Sequence, residues 1–154
     1  AATDWKTVLV SGTGGGGSGV FALDVSDPSA FDASKVMWEF KRSDDPNIGQ
    51  VIGQPRLLKF KTSGTASTAT YRWFAVVASG VNNYVPNSAG QFSNTTGKPA
   101  IFMLALDKPA GAAWDRGTNY YRIDLPLDAT LAATVAPGLD LAGLGIHVGQ
   151  QELC

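Results

Sequence analysis

The feature that most constrains this chain is that it says the same thing twice. Trp5-Lys-Thr-Val-Leu-Val-Ser-Gly12 returns as Trp73-Phe-Ala-Val-Val-Ala-Ser-Gly80, an offset of 68 residues. Ala22-Leu-Asp24 returns as Ala105-Leu-Asp107, and Met37-Trp-Glu-Phe40 falls on Tyr120-Tyr-Arg-Ile123, both at an offset of 83. The offsets differ by 15 residues, one insertion in the loop that holds Asn82 to Pro99. Similarity kept in order over such a distance marks a repeated supersecondary unit, which buries its apolar face by stacking on its neighbours.

Each copy reads as short apolar runs separated by turn residues. In the first copy the runs are 5–12, 19–25 and 36–42, with Trp38 and Phe40 on one face of the third and Met37 and Glu39 on the other. Thr13 to Ser18 is a permissive turn, and Phe31 to Lys35 a short connector with room for one helical turn. In the second copy Gln54-Pro55 leads into strands at about 56–60, 71–79, 101–107 and 119–125. Eighteen glycines and abundant Ser, Thr and Asn fit an all-β chain of tight turns. Four antiparallel strands per unit, up and down, are the blade of a β-propeller. The expected architecture is thus a partial, quinoprotein-like β-propeller of about two blades. Residues 1–126 carry three strands of one blade and a full four-stranded second, and 127–154 form a connector or the start of another blade.

Charge and composition exclude several classes. A net charge of −1 gives no electrostatic case for nucleic acid or an anionic membrane. No run approaches the ~18 apolar residues of a spanning helix. The single cysteine, Cys154, is terminal and has no partner in the chain. The chain begins with Ala and carries no signal peptide, which reads as a processed or excised piece of a longer protein.

Candidate chemistry is thin. Gly12-Thr-Gly-Gly-Gly-Gly17 follows a strand and fits the dinucleotide fingerprint, but that chemistry needs a helix to start there. Val20, Phe21 and Val25 favour strand instead, and the second copy has Val81-Asn-Asn-Tyr84 with no glycine pattern, so a hairpin turn is the better account. Asp24 and Asp107 hold matching strand ends, where a carboxylate caps turn amides. Asp44-Asp-Pro-Asn47 lacks the alternating acidic spacing of a calcium loop and reads as a solvated loop. His147 has no neighbours that would make a zinc site or a nucleophile–base pair, and Asn94-Thr-Thr96 is a glycosylation sequon by pattern only. No catalytic, cofactor-binding or metal-ligating residue is expected.

The structural blade positions are Trp5, Asp24, Trp38, Trp73, Asp107 and Tyr121, with Trp5, Trp38 and Trp73 packing between blades. Partner-binding candidates are the enlarged loop, with Asn82, Asn83, Tyr84 and Phe92, and the loop aromatic Trp114.

The stretches Trp5 to Gly12, Gly19-Val-Phe-Ala-Leu-Asp-Val-Ser-Asp-Pro28, Val36-Met-Trp-Glu-Phe40 and Ile48-Gly-Gln-Val-Ile-Gly-Gln-Pro55 resemble the C-terminal propeller of the PilC/PilY family of type IV pilus-associated adhesins and biogenesis factors. The resemblance is close over 5–60, looser over 71–125 and weak after 126. It implies a non-enzymatic, secreted propeller at the cell surface or pilus tip. Its partners would be pilin or minor pilins, a host or abiotic surface, and the remaining blades of the parent protein. Family members carry a calcium loop in this propeller. This segment has none, so calcium would belong elsewhere in the parent. Two other classes stand beside this one: a blade pair of a periplasmic quinoprotein (PQQ-type) dehydrogenase, and a scaffold propeller of an envelope assembly complex. A von Willebrand-like module in neighbouring sequence favours the pilus class; a quinone absorbance in the full-length protein favours the dehydrogenase.

Overall fold

The computed structural model describes residues 5–80 and 99–125. They form seven strands in two antiparallel sheets, and no α-helix occurs among them. The first sheet runs β1 (Val8–Gly12), β2 (Gly19–Asp24) and β3 (Val36–Lys41). The second runs β4 (Arg56–Ser63), β5 (Thr70–Ala78), β6 (Ala100–Ala105) and β7 (Tyr120–Asp124). Strands neighbouring in sequence neighbour in space, the up-and-down order of a propeller blade. The described residues are all-β, and their two successive blade-like sheets are consistent with a partial β-propeller. Residues 127–154 lie outside the described residues.

Turn chemistry fixes the connections. Gly14–Gly16 make one 3₁₀ turn and the chain re-enters strand at Gly19, so the glycine run is a turn between strands and opens no α-helix. The connector from β2 to β3 has two 3₁₀ turns, Pro28–Ala30 and Ala33–Lys35. Asp27 and Asp32 cap them by accepting from the Ser29 and Ser34 amides at 3.0 and 2.8 Å.

Side-chain alternation then decides the core. Val20 and Ala22 on β2 lie opposite Phe40 and Trp38 on β3, so all four project to one side. Leu104 and Phe102 on β6 lie opposite Ala75 and Val77 on β5 and opposite Tyr120 and Arg122 on β7. These two faces pack on each other as one core, in which Phe40, Phe102 and Leu104 are fully buried. Each such side chain contributes about 1.5–3 kcal/mol of transfer free energy. Met37 departs from strict alternation. It packs partly against the core because the β2–β3 register shifts between Ala22 and Leu23, a bulge that turns the adjacent residue inward.

Candidate functional site

The densest chemistry lies where the sheets meet, around the connector from β3 to β4. Asp45 accepts from the Asn47 amide at 3.0 Å and caps a 3₁₀ turn, Pro46–Ile48. The connector then runs against the ends of both repeat-matched strands. The Gly80 amide donates to the Ile48 carbonyl at 2.8 Å and the Gly14 amide to the Val51 carbonyl at 3.1 Å. A Cβ on Gly80 would run into the Gln50 carbonyl, and one on Gly12 into that of Val51. Both copies of Ser-Gly therefore end in glycine for one reason: the same segment crosses each at backbone contact.

The capping carboxylate also ties the second sheet down. Arg122 Nη1 donates to both Asp45 oxygens, at 2.9 and 2.8 Å, and the Tyr120 hydroxyl lies 3.3 Å from Asp45 Oδ2. Asp45 is 3% exposed. The other side of the guanidinium pairs with Asp124, whose Oδ1 is 2.6 Å from Nε. Burial pulls the Arg122 guanidinium down. The Asp124 hydrogen bond and the Asp45 charge outweigh it, and the net direction is up. Burial first, then the Asp45 charge, pushes the Tyr120 phenol above its ordinary value. The arrangement suits a clamp: a forked ion pair with a buried carboxylate, closed on one side by a phenol and on the other by a second carboxylate.

Beside the clamp, Trp114 from the β6–β7 loop stands edge-on to Trp38 and Phe40, with centroids 5.3 and 5.1 Å away. Its Nε1 donates to the Glu39 carbonyl at 2.6 Å, satisfying an acceptor on the free edge of β3. Lys108, almost buried, lays its ammonium 5.0 Å above the Trp114 ring. A shallow groove of about 360 Å³ runs between the edge of β3 and residues 108–114.

The structure corrects several expectations. Trp114 is half-buried packing, so it is not a displayed recognition residue. Trp38 sits between the sheets at 4% exposure, but Trp5 is 92% exposed and Trp73 51%, so neither of these is buried between the two described sheets. Trp73 instead lies under the Lys59 ammonium at 5.9 Å. Asp24 caps as expected, accepting from the Ser26 amide at 3.1 Å and its hydroxyl at 2.6 Å, with Lys6 at 3.0 Å. Those hydroxyl and ammonium contacts hold its carboxyl well below the usual range. Asp107 does something else: it takes a forked pair from Arg72 at 2.7–3.2 Å. Tyr121 is on the far face of the second sheet, against Phe74 at 5.9 Å. The supposedly solvated loop 44–47 in fact buries Asp45 and Asn47. Asn82, Asn83, Tyr84 and Phe92 lie outside the described residues. Among the described residues no three of His, Cys, Asp or Glu come together as a metal site, and no helix is long and apolar enough to cross a membrane.

Sheets built from one repeated unit, locked by a structural ion pair and a shared connector, define a segment of a blade-repeat protein. The chain is similar to a type IV pilus biogenesis factor PilY1 homolog of Xylella fastidiosa, 32% identical over 102 residues, which is 66% of this chain and 6% of that protein. It is similar also to PilY1 of Pseudomonas aeruginosa strain UCBPP-PA14, 33% identical over 104 residues (68% of this chain, 7% of the relative), and to that of strain PAO1, 26% identical over 106 residues (69% and 7%). Over these residues the chain is a PilY1-like segment. It spans 6–7% of the length of the curated relatives named here. No family profile matches the chain, and no solved structure does.

Proposed function

We propose that this chain is a non-enzymatic β-propeller segment acting in type IV pilus biogenesis, in a protein exported to the cell envelope or pilus. The observation that carries the reading is the similarity to PilY1 factors of two bacterial genera over two thirds of the chain. The geometry agrees with it. The charged and aromatic groups that would be candidates for chemistry are spent on joining sheets: Asp45 on Arg122, and Trp114 on Glu39 and Trp38. Partner contact, with pilin, minor pilins or a surface, falls to the loop 81–99, which replaces the six residues 13–18 of the first copy.

The test is to shorten 81–99 to a six-residue turn and compare wild type and variant for folding, by circular dichroism and melting, and for capture by purified pili. The expected result is an unchanged fold with capture reduced tenfold or more, a loss of ≥ 1.4 kcal/mol of binding free energy. Undiminished capture, or loss of soluble protein, overturns the assignment of binding to this loop. Absorbance of a bound quinone in the purified protein would overturn the non-enzymatic reading itself.

A further inference from the structure

Two charged side chains are buried among the described residues, Asp45 and Lys108. Asp45 has its counter-ion in Arg122. Lys108 is 8% exposed and forms no ion pair with any described carboxylate. Its ammonium donates to the carbonyl of the adjoining Pro109 at 3.3 Å and lies 5.0 Å from the centre of the Trp114 ring. The carbonyl and the ring engage two of its three N–H groups at most, and neither carries a net negative charge. Lysine is rarely buried so far without a paired anion, because the charged form loses its hydration. Lys108 therefore has an acceptor and a counter-charge still to meet.

The place where it can meet them is the groove of about 360 Å³ that Lys108 lines, between β3 and residues 108–114. One wall comes from the first sheet and the other from the β6–β7 loop, so the groove lies between the two described sheets and is not an outer sheet face. Val36, Met37 and Trp114 give it apolar surface, and residues 110–113 add nothing bulkier than a methyl group. The other charges along it are already engaged. Glu39 pairs with Lys41 at 3.3 Å, and Asp44 accepts from the Lys41 amide at 2.8 Å. Trp114 caps the Glu39 carbonyl on the edge of β3, which argues against a peptide adding there as a strand. We propose that this groove is a carboxylate-binding site, in which Lys108 donates to the carboxylate and Trp114, Val36 and Met37 hold a short aliphatic chain. An apolar pocket with one convergent charge is the usual form of a small-ligand site. The ligand chemistry is that of a short organic acid or of a Glu or Asp side chain. The inference is independent of the pilus reading.

The test is a nuclear magnetic resonance titration of the 154-residue chain with propionate at constant ionic strength, read on the indole N–H signals of its four tryptophans. Trp38 and Trp114, which line the groove, are expected to shift saturably, with Kd on the order of 1–10 mM for so small a ligand. Trp5 and Trp73, which do not line it, are expected to stay put. Propionamide, the uncharged isostere, is expected to bind at least tenfold more weakly, and Lys108→Met to weaken propionate by the same factor. No saturation by about 100 mM, equal shifts with propionamide, or undiminished binding by folded Lys108→Met overturns the proposal. Should Lys108→Met not fold, the comparison of propionate with propionamide on wild type decides alone. Two capped peptides, acetyl-Gly-Glu-Gly-amide and its Gln counterpart, then separate the sources. Binding of the Glu peptide alone of the pair assigns the site to acidic side chains, and binding of propionate but neither peptide assigns it to free organic acids. Either result supports a carboxylate site; equal binding of both peptides overturns it.

Discussion

At the residue scale, Trp38 and Arg122 show the two ways in which single side chains hold this molecule. Trp38 is apolar volume: its ring is buried, touches Trp114 edge-on, and its Nε1 has no hydrogen-bond partner among the described residues. Trp38→Ala is expected to destabilise by about 3–5 kcal/mol in urea denaturation, the cost of a large buried aromatic, and a loss under about 1 kcal/mol would remove Trp38 from the core. Trp38→Phe should cost far less than the alanine, since it also deletes an unpartnered N–H. The sequence showed Trp38 well, because apolar alternation with Phe40 across a charged Glu39 is a local signal. Arg122 was invisible as a clamp. Its partner Asp45 is 77 residues away, and a lone cation in an apolar strand announces only that something must neutralise it.

At the element scale, the connector 45–51 makes backbone hydrogen bonds at the ends of strands in both sheets and helps fix their spacing. Its fit depends on bare glycine at Gly12 and Gly80 and on Gly49 at φ +61°, where a Cβ is strained. Gly80→Ala is expected to lower stability by about 1–3 kcal/mol, the usual cost of overpacking, because the obstacle is backbone and cannot rotate away. Gly53→Ala, where an added Cβ meets nothing within 4 Å, should be close to neutral by the same thermal melt. Equal effects at both positions would mean that the connector is loose. The repeat of Ser-Gly was legible in the sequence, but as a pattern of strand ends. That one segment presses on both glycines is a three-dimensional coincidence, with no trace in the spacing.

At the scale of the whole molecule, the Asp45–Arg122 contact is the polar link between the first sheet's connector and the last strand of the second. Its partners are well buried, with side-chain exposures of 4% and 14%, so the discount for a surface ion pair does not apply. Arg122→Ala should cost about 3–5 kcal/mol, chiefly because it strands a buried carboxylate, and Asp45→Asn combined with Arg122→Met should recover a good part of that loss. The measurement is a double-mutant cycle in urea. Additive effects would show that the two side chains do not act as a pair.

The sequence by itself determined the strands, the faces and the order of the repeat. Alternation of apolar residues and the chemistry of Asp, Pro and Gly turns act within a few residues, so they are written locally. Only the tertiary structure decided which copy of each position is buried. Trp38 and Tyr121 occupy the same place in the repeat, yet one is sealed and the other is 36% exposed. The difference lies in what stands opposite: the first sheet has a neighbour on that face and the second, among the described residues, has none. Burial in a stacked repeat belongs to the interface between units, and a unit's own residues record the capacity for it without recording whether it is met.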